Sequence, residues 1–257
     1  MDGTLLAPNH RLSTRTLAAM AAASEAGIAV LPVTGRGFRS ALPILEPAKL
    51  DSVVCSNGAL IYDIAADRIA EVSPVGGTLL RSTVSQLQEQ LPGALFGWET
   101  TVSVTFEPGF HGEDRPAEAD PEPLDQVVDA IKLFVAHPEV HESELQHTVA
   151  PLLDPGMNVS TSGAHFVEVT AAGIDKGTTL ARVAAAMGIE QSEVMAFGDQ
   201  MNDLTMLAWA GVGVAMGNAR PEAIEAADRV APSNSEDGVA QVIEQLLNQL
   251  PRSSRSY

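Results

Sequence analysis

Apolar residues along this chain fall into helical stripes and short runs that alternate. Across residues 12–26 they recur at Leu12, Leu17, Met20, Ala21 and Ala23, the spacing of one helix face, with Ser13 placed to cap it and Gly27 just past its end. Residues 28–33 and 52–55 are compact apolar runs, stopping at the polar turns Thr34-Gly35-Arg36 and Ser56-Asn57-Gly58. Both predict buried parallel strands. The C-terminal third repeats the scheme: a helix over 176–187, a strand over 193–197, a helix to Ala210 and a strand over 212–215. Another helix, a short strand and a final helix over 237–250 follow. Strands alternating with helices predict an α/β core, a Rossmann-like doubly wound parallel sheet covered on both faces.

Between these halves the period changes. "ALFGWETTVSVTFE" and "MNVSTSGAHFVEVT" each read as paired strands around a turn, and "IKLFVA" adds another strand. The Pro- and acid-rich "EPGFHGEDRPAEADPEPLD" reads as a loop and the tail "PRSSRSY" as frayed. These patterns predict an inserted α+β domain over residues 78–171, with 1–77 and 172–257 forming the core.

Composition narrows the class. A hydrophobic fraction of 45% in 257 residues supplies a sizeable core, and no apolar run is long enough to cross a bilayer. One cysteine, Cys55, excludes an internal disulfide and a cysteine-based zinc site, and a cytoplasmic location is expected. The net charge of −18 argues against nucleic acid as a partner. It would also repel a small anionic substrate unless cations were set locally.

Ligands of open parallel sheets bind at the carboxyl ends of the strands. Four polar clusters are expected there: Asp2-Gly3-Thr4, Thr34-Gly35-Arg36, Ser56-Asn57-Gly58, and Gly198-Asp199 with Asn202 and Asp203. Lys176 opens a nearby helix. Singly, each is an ordinary turn or cap. Together, hard oxygen ligands, a hydroxyl, an amide and a lysine make a magnesium and phosphate site. Competing motifs fail on spacing. Lys176-Gly177-Thr178 has the wrong order for a nucleotide-binding P-loop, and Gly211, Gly213 and Gly217 miss the dinucleotide fingerprint. His137 and His141 flank Pro138 and read as surface histidines, while Cys55 reads as a small core residue.

The motifs "DGTLL", "VTGR", "SNGA", "GIDKG", "GDQMND" and "GVAMGNA", in this order over nearly the whole chain, resemble those of the haloacid dehalogenase (HAD) superfamily of phosphatases, in its Cof-like type IIB branch with a large α+β cap. The resemblance implies a magnesium-dependent (Mg2+) hydrolase of small phosphorylated metabolites such as sugar phosphates, acting through an aspartyl-phosphate, with the cap selecting the leaving group. It implies Asp2 as general acid/base that also offers its backbone carbonyl to the metal. Thr34, Gly35, Arg36 and Asn57 would bind phosphate, and Lys176 would stabilise charge. Asp199, Asn202 and Asp203 would complete the metal shell. In that family the nucleophilic Asp stands two residues before the acid/base Asp, at the end of a central strand. Here that position lies ahead of Met1. Two expectations follow: Met1 is an internal methionine of a longer motif, or the chain binds phosphorylated ligands without turning them over. A missing central strand would leave a gap of about 10 Å, twice the interstrand spacing.

Overall fold

The computed structural model describes residues 1–110 and 122–250. Most of the predicted acidic loop and the C-terminal tail lie outside those residues.

The opening turn is closed by the Met1 carbonyl, which accepts from Leu5 N at 2.9 Å and Leu6 N at 3.0 Å. Helix α1 (Thr14–Glu25) follows, capped by the Ser13 hydroxyl as its sequence predicts. Helix α2 (Phe38–Leu45) leads to an antiparallel sheet of β1 (Ser52–Cys55), β2 (Leu60–Asp63) and β3 (Arg68–Val72). A short strand β4 (Val75–Gly76) passes into helix α3 (Gly77–Gln90).

The next region is an antiparallel sheet in the order β6-β5-β8-β10-β9. It comprises β5 (Leu95–Glu99), β6 (Val104–Phe106), β8 (Lys132–Ala136), β9 (Met157–Ser160) and β10 (Phe166–Ala171). Strand β7 (Asp129–Ala130) pairs with β4 instead, and helix α4 (Glu142–Val149) packs over β9 and β10. Both predicted hairpins form, and "IKLFVA" takes the central position. One face packs Phe96, Leu133 and Val167 against Leu80 and Val84 of α3 and Leu145 of α4. The other face carries Phe106, Phe134 and Phe166 beside the charged side chains of Glu99, Lys132 and Glu168.

The chain then returns through α5 (Lys176–Ala186), β11 (Met195–Gly198), α6 (Leu204–Trp209), β12 (Val212–Ala215), α7 (Pro221–Ala226), β13 (Arg229–Val230) and α8 (Gly238–Gln249). Strands β11, β12 and β13 are parallel, so the molecule combines an α/β core with an α+β cap. Helix α5 begins with a reciprocal capping box between Asp175 and Thr178.

Three strand expectations need correction. Residues 28–33 form no strand ladder; their one pairing is a parallel bridge from Val33 to Val54. A backbone segment with a sheet partner on one side only, here also carrying Pro32, has little to hold it extended. Strand β1 is parallel to Val33 but antiparallel to β2. The strand expected over 193–197 begins at Met195, because Gln191–Glu193 forms a 3-10 turn. Between residues 28–33 and β11 lies an apolar cavity of about 450 Å³, bordered by Leu5, Met20, Val33, Leu180, Phe197 and Met206.

Candidate active site

A second cavity, about 480 Å³, opens between the carboxyl ends of the core strands and the aromatic face of the cap sheet. Asp2, Thr34, Gly35, Arg36, Lys176, Asp199, Asn202 and Asp203 all line it. Asn57 stands behind them, its Oδ1 accepting from Asn202 Nδ2 at 3.1 Å. Residues up to 201 positions apart in sequence thus meet because β1 and β11 end, and α5 begins, at this edge.

The charges are paired locally. The Arg36 guanidinium grips the Asp2 carboxylate with two hydrogen bonds of 2.6 Å, and His10 Nδ1 lies 3.1 Å from Asp2 Oδ1. Burial pushes Asp2 up, but the Arg36 hydrogen bonds and charge outweigh it and hold the carboxyl well below its usual range. Lys176 Nζ donates to Asp203 Oδ1 at 2.6 Å and to Asn202 Oδ1 at 3.0 Å. Asp203 Oδ2 accepts from the backbone N–H groups of Asp199 and Gln200 at 2.9 and 3.0 Å. Burial raises Asp203 as well, yet Lys176 and these contacts leave it lowered. The Met1 α-amino group is buried among Lys176, Asp203, Asp2 and Asp199. Burial first, then the charge of Lys176, lowers its pKa.

Asp199 differs. Its carboxylate accepts from the Thr4 hydroxyl and, among the described residues, makes no hydrogen bond to a cationic side chain; burial, the largest influence, raises its pKa. Gly3, at φ +69°, runs against this carboxylate so closely that a Cβ would collide with it. A buried anion without a cation in contact suits a hard metal ion. Of the residues expected to hold magnesium, Asp203 and Asn202 are engaged by Lys176, and Arg36 takes the Asp2 carboxylate but not the backbone carbonyl that Asp2 is expected to offer. Among the described residues no three His, Cys, Asp or Glu side chains form a metal-holding group. Asp199 is therefore the side chain that fits the ion as it stands.

A model of the haloacid dehalogenase-like hydrolases matches residues 1–243. The chain belongs to that family. HAD-family relatives include the pyridoxal phosphate phosphatase YbhA of Escherichia coli, 30% identical over 95% of each chain. Another is the 5-amino-6-(5-phospho-D-ribitylamino)uracil phosphatase YcsE of Bacillus subtilis, 31% identical over 95% of this chain and 92% of that one. Among solved HAD folds, BT1666 from Bacteroides thetaiotaomicron superposes with a TM-score of 0.80 at 26% identity, covering 95% of this chain and 92% of that one. SMU.1108c from Streptococcus mutans shares the HAD fold at a TM-score of 0.84 and 21% identity, with 97% of each chain covered.

The expectation that the cap closes over the site and selects the leaving group, through residues around 98–105 and 157–162, includes Glu99, Val104 and Ser162 of the cavity wall, but not Lys132 or Glu168. Lys132 on β8 donates to the Gly35 carbonyl at 2.6 Å and to Glu168 Oε1 on β10 at 2.7 Å. Glu99 on β5 lies 3.9 Å from Lys132 Nζ and accepts from the Ser56 hydroxyl at 2.9 Å. All three side chains are nearly inaccessible to solvent. Their signal was present: a lysine in "IKLFVA", and a glutamate in "FVEVT", each inside an otherwise apolar strand.

Proposed function

We propose that this protein is a divalent-metal-dependent phosphatase that hydrolyses small phosphomonoesters to an alcohol and inorganic phosphate. The observation that carries the reading is the convergence of Asp2, Thr34, Arg36, Lys176 and Asp199 on one cavity facing the cap. Phosphate-ester relatives such as the pyridoxal phosphate phosphatase support it. Sugar phosphates and phosphorylated heterocycles are both within its range.

The Thr34 hydroxyl already accepts from Arg36 N at 3.1 Å, which orders the loop that would receive phosphoryl oxygens. Lys176, buried against Asn202 and Asp203, offsets charge that accumulates on them. Asp199 and, as the resemblance implies, the Asp2 carbonyl would hold a divalent ion, which would supply Lewis-acid stabilisation of the phosphoryl group when bound. Bound to Arg36, Asp2 is ionised and carries no proton to give. Once Arg36 turns to a phosphate oxygen, Asp2 is released and can take a proton from solvent, which it gives to the departing ester oxygen; it then recovers a proton from the attacking water.

The covalent route needs a nucleophilic carboxylate, which the family resemblance places two residues ahead of Asp2. The experiment compares this polypeptide with one extended by an apolar strand ending in Asp, on a panel of phosphate esters with magnesium or a chelator. Turnover is expected from the extended chain, with a loss of about 10⁶-fold without the nucleophile. Equal rates would refute the nucleophile argument, and activity surviving chelation would refute the metal. Phosphate binding without turnover by either chain would favour a silent phosphate-binding protein of the same fold.

A further inference from the structure

Lys132 belongs to the cap, yet one of its hydrogen bonds ends on the loop proposed to bind phosphate. Its ammonium donates to the Gly35 carbonyl at 2.6 Å and to Glu168 Oε1 at 2.7 Å, and lies 4.7 Å from the centre of the Phe134 ring. The side chain is almost wholly buried, so it is held where it stands. The flanking carbonyls of the loop are held by the core instead. Thr34 O accepts from Asn57 N at 3.0 Å, and Arg36 O accepts from Ser56 N at 2.9 Å. Of these three carbonyls, Gly35 is the one gripped from the cap.

One peptide unit carries both the Gly35 carbonyl and the Arg36 N–H, and in a trans peptide the two point in opposite directions. With its oxygen turned to Lys132, this unit turns its N–H to the Thr34 hydroxyl, which accepts from it at 3.1 Å. A hydroxyl that accepts in this way keeps its one proton to donate. Among the described residues the Thr34 hydroxyl donates to no other group, and Thr34, Gly35 and Lys132 all line the cavity. Turned over, the same peptide would set its N–H against the ammonium, donor against donor. Its oxygen would then face the Thr34 hydroxyl and take the proton that a ligand needs. Glycine admits a wide range of backbone angles, so residue 35 does not choose between the two arrangements by itself.

We propose that Lys132 is a positioning residue for phosphate binding: from the cap it fixes the Gly35–Arg36 peptide in the orientation that leaves the Thr34 proton for a phosphoryl oxygen. This rests on the phosphatase reading and ties the cap to the phosphate loop. Lys132 touches no phosphate in this role. Glu168 and, at 3.9 Å, Glu99 compensate the buried charge that the grip on Gly35 requires.

Phosphate binding tests this without turnover. The full chain is titrated calorimetrically with inorganic phosphate at saturating magnesium. Lys132→Met alone would strand two carboxylates, so it is combined with Glu99→Gln and Glu168→Gln. The cavity then loses no net positive charge, and a weaker affinity cannot be read as the loss of a cation. The triple variant is expected to bind phosphate about tenfold more weakly than the unaltered chain, the worth of one hydrogen bond to a charged group. Thr34→Val should cost a similar factor, and joining it to the triple variant should add less than about twofold, because both act through one hydroxyl. Unchanged affinity in the triple variant would overturn the positioning role, and so would losses that multiply in the combined variant. Failure of the unaltered chain to bind phosphate would overturn the phosphatase reading, and the role of Lys132 with it. If the triple variant does not fold, amide exchange in the unaltered chain decides. Arg36 N–H should exchange at least about tenfold more slowly than Gly35 N–H, which has no acceptor among the described residues. Equal rates would show a peptide free to turn over and would overturn the proposal.

Discussion

Asp199 and Glu99 are both buried carboxylates with raised pKa, and they differ in what can relieve them. Asp199 faces the space a metal can enter, beside the backbone of Gly3. Gly3→Ala would force an alanine to φ +69° and press its Cβ into the Asp199 carboxylate, costing at least about 1 kcal/mol. Thermal unfolding with and without magnesium should show both a lower Tm and a smaller shift on adding the ion. A variant that keeps the full shift would dissociate Gly3 from the metal site. Glu99 is enclosed by Ser56, Lys132 and Gly37, and burial, the leading cause, raises its pKa above the ordinary 4.5. The folded state then binds its proton more tightly than the unfolded chain does. Its stabilising contribution is full below pH 4.5 and is lost as pH rises through the folded value. Glu99→Gln should therefore flatten the fall in stability toward alkaline pH relative to the unaltered chain. Unfolding midpoints measured from pH 4 to 9 check this, and parallel curves for the two proteins would contradict it.

At the scale of elements, β8 joins the two halves of the site. Lys132 stands opposite Glu99 in the ladder, while Glu168 stands opposite Phe134, so all these side chains share the face that looks into the cavity. Removing the lysine strands two buried carboxylates, and Lys132→Met is expected to cost about 3–5 kcal/mol. A triple change of Lys132, Glu99 and Glu168 to apolar residues should recover much of that loss in denaturant titrations. An unstable triple variant would mean that the Gly35 and Ser56 contacts, rather than charge pairing, dominate. Helices α1, α5 and α8 and both cap hairpins were legible because their periods and caps are local signals. Helices α3 and α4 were not, since "GTLLRSTVSQLQEQ" and "ESELQHTV" carry weak apolar stripes between stronger strand signals. Residues 28–33 failed for another reason: an apolar run states what it can pair with, and pairing is settled elsewhere in the chain. The core side of the cavity was readable because turn residues punctuate strand ends. Glu99, Lys132 and Glu168 become meaningful only when three strands are laid side by side.

Across the whole molecule, a net charge of −18 confronts an anionic ligand. The site does not reverse that field with side chains alone. Among the described residues, the side chains of Asp2, Glu99, Glu168, Asp199 and Asp203 line the cavity against those of Arg36, Arg39, Lys132 and Lys176, with the Met1 α-amino group, its pKa lowered, beside them. Most of the cations are already committed to carboxylates, so a phosphate dianion entering without a metal meets no net attraction. One divalent ion at Asp199 changes the local sign. Binding of inorganic phosphate should therefore depend steeply on magnesium and become undetectable with a chelator. Ionic strength should act in the opposite direction from that seen at a basic anion site. Exposed surface charge is screened beyond about 8 Å at 0.15 M salt, whereas buried pairs are screened far less. Raising potassium chloride from about 10 to 150 mM, with magnesium saturating, should accordingly strengthen phosphate binding by quieting the distant acidic surface. Weakening over the same range would show that exposed cations, chiefly Arg36 and Arg39, draw the ligand in. The sign of the salt dependence thus separates capture by the buried metal from capture by the surface.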